Sequence, residues 1–181
     1  AGLDVLSLGN GGEIILHHDA FREGELFSNF LVRWSSQKSN RGTLILNPKE
    51  DGLETLAIEM LAENGIEDYF FLDLPLPTIV RLAAKNHFKR LAVRHSEYES
   101  LETVQRFCGL VDWVWIDSFS GSPPSKSTLD FLKLNFKTCL VSPELQGYPK
   151  ERIESFLHLR SSLDAVCTKV PELWTRDLSQ I

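Results

Sequence analysis

Cysteine is scarce in this chain, with three in 181 residues: Cys108, Cys139 and Cys167. An odd count without a CxxC spacing offers neither a disulfide framework nor a zinc signature. Each lies in an apolar setting (RFCGL, KTCLV, AVCTK), so the reading is buried free thiols in a reducing, cytoplasmic compartment. Basic residues are also in deficit, 19 Lys and Arg against 25 Asp and Glu, for a net charge of −6. That excludes a general nucleic-acid or anionic-membrane binder, which carries a basic face. It leaves room for an anionic substrate in a small basic pocket. No apolar run approaches the ~20 residues of a membrane span. The first residues, AGLDVLSLG, lack the basic start of a signal peptide. They begin without Met and almost inside a strand, so residues upstream are expected. No repeat, low-complexity segment or linker is present, and residues 1–181 fit one domain with a core that needs no disulfide.

What is present is alternation. Short β-rich runs occur at LDVLSL (3–8), EIILH (13–17), TLILN (43–47), DYFFLD (68–73), RLAVRH (90–95), VDWVWID (111–117), KTCLVS (137–142) and DAVCT (164–168). From residue 43 onward they are mostly continuous apolar runs, as in strands covered on both faces. Helical patterns lie between them. In GLETLAIEMLAENG, Leu53, Leu56, Ala57, Met60 and Leu61 share one face, with Gly65 as terminator. A helix near Pro77 buries Ile79, Val80, Leu82 and Ala83. Ser96-Glu97-Tyr98-Glu99 reads as a capping box ahead of Leu101, Val104 and Phe107. Pro149 opens a helix carrying Ile153, Phe156 and Leu157. Gly9-Asn10-Gly11-Gly12 reads as a hairpin turn and not as a phosphate loop, because Ile14 occupies the last glycine position of GxGxxG. SFSGSPPSKS (118–127) reads as a strand-to-helix loop.

Repeated βα units imply a parallel sheet with right-handed crossovers, either a doubly wound open sheet or a (β/α)8 barrel. With EIILH as a hairpin partner, seven parallel strands remain. The length is below the usual barrel range of roughly 200 residues. Both folds place chemistry at the carboxyl ends of the strands. There the chain carries His17-His18-Asp19, Asn47 and Lys49, Asp73, Arg94 to Glu97, Asp117-Ser118, Ser142 and Glu144, and Thr168-Lys169. Such a rim can bind and orient an anion and hold a divalent cation, or it can be ordinary solvated strand ends.

At ILHHDAF and TLILNPKEDGLE the chain resembles the glycerophosphodiester phosphodiesterases and phosphatidylinositol-specific phospholipases C, a TIM-barrel superfamily, and looks closest to short bacterial relatives. Further matching segments are DYFFLD, AVRHSEYES, VDWVWIDSF, CLVSPELQG and AVCTK, spanning nearly the whole chain in order. The resemblance implies a (β/α) barrel short of its first βα unit, with an N-terminal β-hairpin. It implies metal-assisted acid/base hydrolysis of a glycerophosphodiester or sugar-phosphate diester. His18 matches the general acid/base histidine and Lys49 the phosphate-contacting lysine. Asp4 and Asn47 match metal positions for Mg2+ or Ca2+, with Leu6 in place of the second acid. The first unit, with its own catalytic histidine, is absent from the sequence. Phosphodiester cleavage needs a proton-transfer group on each side of phosphorus, and one is evident. The alternative is a decayed barrel that binds a phosphate or sugar-phosphate without turnover.

Residue by residue, His18 is either an acid/base or a structural histidine bonded to a loop carbonyl. His17 alternates away from it along the strand. Lys49 and Arg94 are anion contacts, Arg94 for its bidentate geometry. Ser96 reads as a helix cap, which leaves Glu97 as the site candidate. Asp117 is a rim acid or an N-cap, Glu144 is a rim acid or a complement to a helix dipole, and Lys169 is a further cation at the rim. Trp34, Trp113, Trp115 and Trp174 read as packing. The expected partner is a small phosphate ester, with neither nucleic acid nor membrane, and a second copy where an incomplete barrel leaves an open edge.

Overall fold

The computed structural model describes residues 2–37, 42–85 and 87–175, with the backbone alone for residues 2–5. Two compact units divide the chain, Ala1–Ala92 and Val93–Ile181. Both are mixed α/β, each built on its own sheet.

In the first unit, β1 (Gly2–Leu8) turns through Gly9-Asn10-Gly11-Gly12 into antiparallel β2 (Ile14–Leu16). Gly9 N–H donates to Glu13 O at 2.8 Å, and Gly12 sits at φ +86°, so the glycine run makes the hairpin turn its composition predicts. A short β3 (Glu25–Leu26), not legible in the sequence, pairs antiparallel to β2. It leads into α1 (Phe27–Ser36). On the other side of β1, β4 (Leu44–Pro48) and β5 (Tyr69–Phe71) run parallel to it, giving the order β3-β2-β1-β4-β5. Leu44, Leu46, Phe70 and Phe71 are fully buried, which explains why β4 and β5 read as unbroken apolar runs.

The crossover α2 (Leu53–Glu63) ends at Asn64 and Gly65, the latter at φ +63°. Its buried stripe is Leu53, Glu54, Ala57 and Leu61, while Leu56 is exposed. The stripe is rotated from the predicted one because Glu54 goes inside, where Arg81 and the Gly52 N–H hold its carboxylate. α3 (Leu76–Val80) continues into a π-helical turn, Arg81–Lys85. Ile79, Leu82 and Ala83 are buried as expected, whereas Val80 faces solvent.

The second unit has the strand order β6-β7-β8-β9, from β6 (Ala92–His95), β7 (Trp113–Ile116), β8 (Lys137–Val141) and β9 (Ala165–Cys167). β7, β8 and β9 are mutually parallel. All eight strands expected from the sequence are thus present. α4 (Leu101–Gln105) and α5 (Lys126–Asn135) connect the first three. The cap of α4 is Ser100, which accepts from Thr103 N–H at 3.2 Å, and not Ser96. Ser96 instead closes a separate turn, bonding the Glu99 carboxylate at 2.7 Å. From β8 the chain passes through two 3-10 helices, Pro143–Gln146 and Lys150–Ser162, before β9 and α6 (Pro171–Trp174). Ile153, Phe156 and Leu157 are buried as predicted, as are Trp113, Trp115 and Trp174. The three cysteines are free thiols: Cys139 is buried, and Cys108 and Cys167 are half-buried. No helix among the described residues is long and apolar enough to cross a membrane.

Candidate functional site

The carboxyl ends of the parallel strands gather polar groups in each unit. In the first unit, Asn47 is the last residue but one of β4 and is 4% exposed. Its Nδ2 donates to Asp73 Oδ2 at 2.8 Å. Asp73 follows β5 in a left-handed conformation, φ +59°, which is costly for a residue with a Cβ. Two acceptors here, Asn47 Oδ1 and Ser7 Oγ, are buried without a hydrogen-bond partner among the described residues. The Lys49 backbone N–H donates to Leu6 O at 2.8 Å, and its side chain is half-buried.

The hairpin explains where the histidines go. Leu8 pairs with Ile14 and Ser7 with Ile15, so continuing the register sets Leu16 opposite Leu6. Leu6 in turn pairs with Pro48 at the end of β4. β1 therefore overshoots the parallel strands, and β2 returns the chain to the level of their carboxyl edge just before His17. His18 projects into solvent, its side chain 77% exposed, with Nδ1 3.2 Å from Asp19 Oδ1. The hydrogen bond from His18 holds the Asp19 carboxyl below the usual aspartate range. His17 points elsewhere, its Nδ1 meeting the Asp19 N–H at 2.9 Å. The side chain of Asp4, the implied first metal ligand, lies outside the described residues. Among the described residues, no three His, Cys, Asp or Glu side chains converge as metal ligands. Of the implied set, Asn47 offers a buried, neutral amide oxygen beside Asp73, and a hard cation there would need further anionic oxygen, which Asp4 would have to supply.

The second unit forms a cavity of about 350 Å³ at the carboxyl ends of β6 and β7. The two ends are adjacent because Asp117 N–H donates to His95 O at 3.0 Å. Its lining mixes the hydroxyls of Ser96, Ser118, Ser120, Ser122, Ser125 and Thr128 with the apolar side chains of Ile116, Pro123 and Pro124. His95, Glu97 and Asp117 complete the polar wall. Asp117 is buried, with Arg94 bonded to Oδ2 and Gln146 Nε2 donating to Oδ1 at 2.6 Å. Arg94 also lies 3.5 Å from Glu99 through Nε. His95 Nδ1 is 3.0 Å from the Glu99 carbonyl, a contact in which the ring nitrogen must donate.

Glu97 holds the wall in place. It accepts from Phe119 N–H at 3.0 Å, Ser120 N–H at 3.1 Å and the Ser120 hydroxyl at 2.6 Å. Burial works to raise its carboxyl, but these bonds outweigh it and hold Glu97 below the usual glutamate range. Tyr148 secures the same loop, its hydroxyl donating to Phe119 O at 2.8 Å. Glu144 has a comparable task after β8. The Ser142 and Thr168 hydroxyls and the Lys169 N–H all donate to it, and Trp174 Nε1 donates to Ser142 Oγ at 2.8 Å. Here too, burial pulls the carboxyl up and hydrogen bonds bring it below its ordinary range. Lys169 is exposed.

Of the residues singled out from sequence, Glu97 and Asp117 line the cavity, Arg94 supports it, and Glu144 pins the C-terminal strand and helix. Ser118, named with Asp117 at the rim, lines the cavity as well, whereas Ser120, Ser122 and Ser125 of the loop SFSGSPPSKS and Gln146 were missed. Nothing local marks Gln146, which reaches Asp117 from 29 residues away. In comparison with known proteins, the chain matches no protein family, no curated protein and no solved structure.

Proposed function

We propose that the chain is a phosphodiesterase-like module that binds a small polyhydroxylated phosphate ester and does not hydrolyse it. The fold in this reading is a TIM-type (β/α) barrel short of its first βα unit. The parallel runs β1-β4-β5 and β7-β8-β9 support it. The observation that carries the binding is the hydroxyl-lined cavity beside β6 and β7, at the strand ends where such folds hold their ligands. Its volume is at the lower end of small-molecule sites, roughly 300–1,000 Å³, which suits one small hydroxylated group. The absence of turnover rests on the depleted proton-transfer and metal positions. His18 is solvated, Leu6 stands where a second acid would be, and Asn47 supplies a neutral amide bonded to Asp73.

One observation favours a second reading, a metal-assisted phosphodiesterase acting on a glycerophosphodiester or sugar-phosphate diester. Asn47 Oδ1 is buried without a hydrogen-bond partner among the described residues, and such an acceptor invites a cation. Asp4 would be its neighbour in the metal set, with His18 and Lys49 in the catalytic roles. A thermal titration separates the two. Melting is followed with glycerol phosphate, with and without Mg2+ or Ca2+. Stabilisation by phosphate ester alone supports the binding module, because a ligand that binds only the folded chain raises its stability. Stabilisation that requires the metal, with release of product from glycerophosphoglycerol, supports the hydrolase. No response to any of these ligands contradicts both.

A further inference from the structure

We infer that Tyr98 and Phe119 form a stacking platform for a nucleobase, so that the phosphate ester held by the second unit is a nucleoside phosphate. This rests on the binding reading above and names the group that the ligand carries beyond the cavity. The first observation is exposure. Tyr98 is 84% exposed and Phe119 38%, with their ring centroids 5.7 Å apart and the planes tilted by 52°. A single exposed apolar residue is ordinary. Here two aromatic rings meet at the surface and leave most of Tyr98 in water, so core packing does not account for them. The second observation is rigidity. Tyr98 stands in a turn closed by Ser96, whose hydroxyl bonds the Glu99 carboxylate and accepts from Tyr98 N–H at 3.1 Å. The Phe119 backbone is held at both ends, its N–H by Glu97 and its carbonyl by the Tyr148 hydroxyl. Rings on a backbone fixed in advance offer contact area at little cost in ordering.

Position ties the platform to the cavity. Glu97, one residue before Tyr98, lines the cavity, as do Ser118 and Ser120 on either side of Phe119. Glu97 also clamps the two loops together through Phe119 and Ser120. At about 350 Å³ the cavity has room for one small hydroxylated group such as a ribose, and a base attached to it extends past the lining. Every base has a flat π face that a Tyr or Phe ring can cover without reading its edge. The platform therefore asks for a base without choosing among bases. A second sugar ring would present hydroxyls, which the faces of these rings cannot pair.

The test is an amide-NMR titration of the full chain with adenosine 5′-monophosphate, ribose 5-phosphate and trehalose 6-phosphate. Each probe carries one phosphate monoester, so the charge is shared and the attached ring differs. The adenosine ester is expected to bind roughly tenfold more tightly than ribose 5-phosphate, the size of one base–aromatic stacking contact, with its base protons shifted upfield. Tyr98→Ala should remove that advantage, leave ribose 5-phosphate binding as it was and leave melting unchanged, because the ring is exposed. Tyr98→Phe should keep the advantage. Equal affinities for the adenosine ester and ribose 5-phosphate overturn this inference and leave the binding reading standing. So does an advantage that survives Tyr98→Ala, or an equal gain for trehalose 6-phosphate. If none of the three esters binds, the binding reading falls, and this inference with it. The wild-type ratios and Tyr98→Phe decide the matter even where Tyr98→Ala fails to fold.

Discussion

Replacing Gly121 by alanine should loosen the cavity wall by a calculable amount. Gly121 adopts φ +65°, where an alanine costs ~1 kcal/mol. An added Cβ would also lie 2.5 Å from the Tyr148 ring, far inside contact distance. The ring has to move, and its hydroxyl then loses the bond to Phe119 O, another ~1 kcal/mol. With some lost packing, the total is roughly 2–3 kcal/mol, which at ~2–4 °C per kcal/mol corresponds to a fall in melting temperature of roughly 4–12 °C. Gly109 supplies the control: it has φ +76°, but nothing lies within 4 Å of its built Cβ. Gly109→Ala should therefore cost only the backbone share, ~1 kcal/mol. Urea unfolding followed by tryptophan fluorescence reads both variants, since Trp113, Trp115 and Trp174 all belong to the second unit. Equal losses for the two variants would refute the steric part of the reasoning. No loss in either would refute the backbone part as well.

Other outcomes follow from the same contacts. Asp117→Asn leaves Arg94 without its buried carboxylate and should cost about 3 kcal/mol, read by the same unfolding assay. Phe156→Ala empties a fully buried site and should cost about 3–5 kcal/mol. The lowered carboxyls of Glu97 and Glu144 stabilise the fold above the ordinary glutamate range, roughly pH 4, and that contribution is lost as pH falls through it. A pH series of melting temperatures should drop there, and Glu144→Gln should start lower at neutral pH and fall less steeply. His18→Ala should leave melting unchanged, because His18 is solvated and, among the described residues, bonds only its neighbour.

The strands were legible because period and length were unambiguous. Apolar runs such as YFFL and WVWI have one stable use in a chain of this size, between two covering layers. The glycine turn was legible for its backbone demands. β3 was not, since two residues carry no periodic signal and form a strand only because β2 is there to pair with them. The helix-face errors have a common cause. Glu54 and Thr78 are buried because Arg81 and Asp51 meet them from elsewhere in the chain, and such tertiary partners rotate a helix away from its apolar maximum. The capping motif at Ser96 failed by one turn for a similar reason: Ser100 and Thr103 satisfy the helix, while Ser96 and Glu99 satisfy each other. For the site, acids at strand ends were visible, but their occupation was not. Glu97 and Glu144 are saturated by backbone and hydroxyl donors that only the fold brings near.

The central claim is that the second unit holds a ligand among its serines. The most direct test is an amide chemical-shift map of the full chain titrated with a sugar ring. The account predicts saturable shifts centred on Ser118, Ser120, Ser122, Ser125 and Thr128. Saturable shifts centred instead on His18, Asn47 and Asp73, with these serines unmoved, would contradict it.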